Sequence, residues 1–127
     1  MEARTPFRVA SSNGGSYSPA MSDAGADLHI EHNPAQHRFE ADLGDGTFAV
    51  AEYELFPDRI VFTHTGVPPQ HEGRGIGSAL IRFALGWARQ RGLKVIPVCP
   101  FFAAYIRRHA EEQDLLTPSW LEKLGLA

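Results

Sequence analysis

From His37 onward, apolar and polar residues take turns along the chain. In His37–Leu43, Phe39, Ala41 and Leu43 fall on one side and Arg38, Glu40 and Asp42 on the other, and Gly44-Asp45-Gly46 follows as a turn. That period of two predicts a strand with one face buried. Thr47–Leu55 alternates again, with Ala49, Ala51, Tyr53 and Leu55 opposite Phe48, Val50 and Glu52. Pro57-Asp58 marks the next turn, and Arg59–Val67 (RIVFTHTGV) is rich in the β-branched and aromatic residues that suit a pleated, half-buried surface. Upstream, Leu28–His32 is a candidate short strand ended by Asn33-Pro34. Successive strands joined by tight turns predict an antiparallel meander.

The period changes after Pro68-Pro69. Ile76, Ala79, Leu80, Phe83, Ala84, Trp87 and Ala88 recur at i, i+3, i+4, i+7, i+8, i+11, i+12, the stripe of an amphipathic helix. Arg89 and Arg91 load its last turn, and Gly92 suits the position just past its end. Leu93–Val98 (LKVIPV) reads as a short strand whose Pro97 places it at an edge or a splay. Pro100 is able to open a second helix, Phe101 to about His109, and the leucines and Trp120 after Asp114 predict a packed turn or a short terminal helix. The expected order is β-β-β-α-β-α, an α+β fold with two main helices against a mostly antiparallel sheet.

Composition sets the limits. The run ASSNGGSYSPAMSDAG at 10–25 has too little apolar surface to offset the entropy of ordering it, so 1–26 is expected to be a flexible extension and 27–127 a single domain. One cysteine excludes an internal disulfide, no apolar run reaches the roughly 20 residues of a membrane span, and the first residues hold no secretion-type apolar stretch; a cytoplasmic protein is expected. The net charge of −3 conceals an asymmetry: 1–26 is neutral, 27–66 carries −6 and 67–127 carries +3. The division suits an anionic ligand on the basic side and a cationic one on the acidic side, and equally suits unequal solvated surfaces. Aromatics in the basic half follow helical spacing and build no stacking platform, so nucleic-acid binding is not expected. His29 and His32 lack further ligands for a metal.

The chemistry concentrates between the last meander strand and the first helix, in Gln70-His71-Glu72-Gly73-Arg74-Gly75-Ile76-Gly77-Ser78. Glycines at two-residue spacing let a backbone approach a ligand closely, and the helix that follows presents unpaired N–H groups and a positive dipole end, an arrangement suited to pyrophosphate. Arg74 adds a cation. A plain turn before a helix tolerates the same residues. Ser78 stands where the dinucleotide fingerprint needs glycine, and the Gly-Lys-Ser/Thr of a Walker loop is missing.

Gln70, Gly73 and Gly75 match the Gln/Arg-x-x-Gly-x-Gly/Ala signature of the GNAT superfamily of acetyl-CoA-dependent N-acetyltransferases. With His37-Arg38-Phe39-Glu40, His64-Thr65-x-Val67-Pro68, Leu93–Phe101 and Tyr105-Ile106-x-Arg108-His109, roughly residues 28–116 resemble the short, single-domain GNAT-like proteins. The resemblance implies that Gln70–Ser78 hold the pyrophosphate of coenzyme A, aided by Arg108, with the pantetheine arm in the splay between strands ending near Val67 and Val98. It also implies transfer of acetyl to an amine, by a monomer or homodimer. Cys99, before the helix opened by Pro100, is then an acetyl acceptor or part of the acetyl pocket; a lone cysteine also serves as a small buried hydrophobe. His64 is a candidate base, because Gly66 stands where the related His-Thr-Glu-Val-Pro run carries glutamate. Tyr105 is a candidate proton donor to the departing thiolate, or a core aromatic. The alternative function is a CoA-binding or protein-interaction module without turnover.

Overall fold

The computed structural model describes residues 28–126; the expected N-terminal extension lies outside them. Its strands are β1 (His29–Asn33), β2 (Arg38–Asp42), β3 (Phe48–Leu55), β4 (Arg59–Gly66) and β5 (Lys94–Pro97), and its helices α1 (Ile76–Gln90), α2 (Pro100–Arg108) and α3 (Pro118–Lys123). The α+β architecture matches the expectation, but four strands precede α1 rather than three. The candidate strand at residue 28 is real: His29–Asn33 pairs antiparallel with β2 along its whole length, setting Ile30 against Ala41 and His32 against Phe39. The strands lie in chain order, antiparallel from β1 to β4, with β5 parallel to β4.

One face of the sheet carries the core. Phe39, Ala41, Ala49, Ala51, Ile60 and Phe62 are fully buried, as the alternation predicts for β2 and β3. Against them α1 buries Ile76, Leu80, Ala84, Trp87 and Ala88, together with Ile81 and Leu85, which widen the apolar stripe beyond the residues picked out by spacing. Phe62 stacks on Phe102 with ring centroids 4.0 Å apart, so α2 rests on the same face. Gly92, at φ +69°, ends α1 with the left-handed turn that its position predicts. Arg89 then grips Asp114 and Glu112 at 2.9 and 3.1 Å, pinning the six-residue 3-10 segment Ala110–Leu115 that the periodicity did not reveal.

An irregularity in β4 decides what faces the core. Pairing runs Tyr53 with Phe62 but Glu52 with His64, leaving Thr63 as an extra residue. A bulge of one residue reverses the alternation beyond it. Ile60 and Phe62 face inward before it, and Thr65 faces inward after it, while His64 is exposed.

Candidate acyl-transfer site

The ladder between β4 and β5 ends at Phe62 and Pro97. Cys99 N–H donates to Phe62 O at 2.9 Å, and then the chain turns into α2 while β4 runs on to Gly66 paired with β3 alone. Pro97 and Pro100 have no N–H to prolong the pairing. The divergence of β4 from α2 opens a cavity of about 420 Å³.

The glycine-rich loop forms one part of its wall. Pro69–His71 makes a single 3-10 turn, after which Gly73 and Gly75 adopt φ of +86° and +79°. A β-carbon on either would meet no atom within 4 Å, so both backbones border open space. Gly75 is the N-cap of α1, and no side chain caps the helix, which leaves its first-turn amides without a side-chain partner beside the cavity. Gly73, Gly75, Ile76, Gly77 and Ser78 line the cavity, as do His71 and Glu72. Gln70 and Arg74 lie outside its wall. Arg108, near the end of α2, contributes an exposed guanidinium to the lining.

The loop is held from outside by the β2–β3 hairpin. His71 Nε2 meets Asp45 Oδ2 at 2.8 Å, and Arg74 Nη1 stands 3.3 Å from His71 Nδ1. Asp45 also accepts from the Thr47 hydroxyl at 2.6 Å and the Thr47 amide at 3.1 Å. The hydrogen bonds from Thr47 and His71 hold the Asp45 carboxyl well below the usual carboxylate range.

The rest of the lining is mostly apolar: Val67, Ile81, Ala104 and the exposed Phe101, with Thr65 and Tyr105 adding hydroxyl groups. Cys99 is 2% exposed and does not line the cavity; its sulfur lies behind Thr65, with Oγ1 and Sγ 3.2 Å apart. Tyr105 is fixed by a stack on His109 at 3.8 Å, whose Nδ1 meets the Tyr105 carbonyl oxygen at 2.7 Å. His64 stands on the opposite face of β4, across from Glu52 and beside Gly66, where a β-carbon would come within 3.3 Å of His64 Nε2. The structure thus gathers His71–Gly73, Gly75–Ser78, Tyr105 and Arg108 around one space, sets Cys99 one residue behind it, and leaves His64 on the outer surface. Val67 borders the space where the splay was expected, whereas Thr65, Ile81, Phe101 and Ala104 join the lining unannounced by the motif. Thr65 was hidden by the bulge, whereas Phe101, an exposed aromatic after a helix-opening proline, carried a readable signal.

Residues 38–115 match the profile of the family described as GCN5-related N-acetyl-transferase. The chain belongs to this family. Curated relatives include Protein NATD1 of Mus musculus, 33% identical over 108 residues that span 84% of this chain and 93% of that protein. Protein NATD1 of Homo sapiens is 34% identical over 104 residues, 80% of this chain and 87% of its own. Members of such a family use acetyl-CoA, and the residues here fit that cofactor: a glycine cradle bordering open space, uncapped helix amides and Arg108 for phosphates, and an apolar channel for an extended arm. Among the described residues, no helix is long and apolar enough to cross a membrane, and no cluster of side chains is suited to a metal ion.

Proposed function

We propose that the chain is an acetyl-CoA-dependent N-acetyltransferase that acts on an amine. One observation carries this reading: a single cavity has in its wall both the uncapped N-terminus of α1 and the Thr65 hydroxyl that touches Cys99. When bound, the cofactor supplies an acetyl group activated as a thioester. The amides of Gly73–Ser78 and the Arg108 guanidinium hold phosphate oxygens, and Val67, Ile81 and Phe101 exclude water from the arm. Thr65 Oγ1 lines the cavity in front of the Cys99 sulfur, so the Thr65 hydroxyl rather than the thiol borders the acetyl group. Tyr105 brings a phenol proton to the cavity wall. His64, on the outer face of β4 beyond the last β4–β5 pair, takes the proton of an amine that enters through the gap where β4 parts from β5, with Glu52 as its cross-strand neighbour.

Gly66 favours a second reading, a CoA-binding module without turnover, because a carboxylate at that position would otherwise serve as the base. The two are separated by incubating the protein with isotopically labelled acetyl-CoA and a panel of amines. Label on an amine is expected for the enzyme. Retention of CoA with no transfer supports the module.

A further inference from the structure

The glycine-rich loop has little to hold itself in shape. Two of its glycines sit at positive φ with open space around them, and ordering such backbone costs entropy that a ligand must otherwise meet on binding. Yet the loop is not left to itself. The Asp45 carboxylate, fixed by two bonds from Thr47, reaches across from the β2–β3 hairpin to His71. An imidazole that donates from Nε2 to a carboxylate keeps Nδ1 as an acceptor, and Arg74 stands 3.3 Å from that atom. The side chain of His71 is only 11% exposed, so the chain of contacts Asp45–His71–Arg74 is a built connection between two loops 26 residues apart.

We propose that Asp45 is a positioning residue for the anion-binding loop: through His71 it fixes the loop backbone and the Arg74 guanidinium before the cofactor arrives. The inference rests on the reading of this cavity as a coenzyme A site. Its distinctive feature is the sign of the expected effect. A carboxylate near a phosphate site repels the ligand through space, so if Asp45 acted only as a charge, removing it would tighten binding. A positioning role predicts the reverse.

The experiment is titration calorimetry of coenzyme A into wild type, Asp45→Ala, Asp45→Asn, His71→Phe and the Asp45→Ala/His71→Phe double variant. Asp45→Ala is expected to weaken binding about tenfold. Asp45→Asn, which keeps an oxygen for His71 Nε2 and Thr47, should recover most of the affinity, and Asp45→Ala should add no further loss in the His71→Phe background. Independently of folding in any variant, nitrogen-15 NMR of wild type without ligand should show His71 protonated on Nε2 and bare at Nδ1. Equal or tighter binding by Asp45→Ala, or a His71 proton on Nδ1, overturns the tether alone. A wild type that binds no coenzyme A overturns the tether together with the reading it rests on.

Discussion

Gly75 opens α1 at φ +79°, a conformation that an L side chain adopts only under strain, and its amide stands at the helix end that faces the cavity. Gly75→Ala is therefore expected to destabilise the fold by about 1–2 kcal/mol, read as a drop in thermal midpoint of roughly 4–12 °C for a domain of this size. His32 shows a different kind of dependence on its surroundings. It is 5% exposed, stacked on Phe39 and 2.6 Å from the Tyr53 hydroxyl. Burial, with a smaller contribution from the Arg91 charge, pushes its pKa down from 6.5 to about 4. The unfolded chain takes up this proton at higher pH than the native one, so stability is full above pH 6.5 and declines as pH falls toward 4. The loss from this residue has a ceiling of about 3 kcal/mol, and denaturant melts at pH 7 and 4.5 should show a difference that His32→Gln reduces. Burial likewise pushes Tyr53 up to about 12, which keeps its hydroxyl protonated beside His32 at any working pH.

The elements differ in how far they can be read from residue order. β2, β3 and α1 were legible because each has a long regular period: Phe39, Ala41, Ala49, Ala51 and Tyr53 are buried, and so is most of the Ile76–Ala88 stripe. The glycine-rich loop was legible from composition, since positive φ and close backbone approach demand glycine. β4 was not fully legible. Strict alternation puts Ile60, Phe62 and His64 on one face, and the extra residue Thr63 breaks that rule without any glycine or proline to announce it. The bulge exchanges an inward histidine for an inward threonine, and with it the cofactor side of the strand for the outer side. The Asp45–His71 contact joins residues brought near only by the folded hairpin, beyond any local pattern. Since Phe62 and Phe102 bind β4 to α2 across a fully buried stack, Phe62→Ala should cost about 3–5 kcal/mol by equilibrium unfolding.

At the scale of the whole molecule, the sheet divides two chemistries. The helices, the loop and Arg108 lie with the cavity on its covered side. Glu52 pairs with His64 across β3 and β4, and Glu54, two residues on along β3, shares its face opposite the buried Ala51 and Tyr53. Under the proposed function the anionic cofactor lies on the covered side, and a cationic amine approaches the face that carries Glu52 and Glu54, where Arg38 is the cross-strand neighbour of Glu52 on β2. Replacing Glu52 and Glu54 by glutamine should weaken the apparent affinity for an amine acceptor and leave coenzyme A affinity unchanged, measured by steady-state kinetics beside calorimetry. An equal loss of coenzyme A binding would contradict that division. Under the proposed function the loop-lined cavity binds acetyl-CoA. Titration calorimetry of acetyl-CoA into wild type and a folded Gly75→Glu variant tests it most directly. Saturable one-to-one binding by wild type, reduced about tenfold or more by the glutamate at the phosphate cradle, is predicted. No binding by wild type at millimolar acetyl-CoA, or equal binding by the variant, contradicts it.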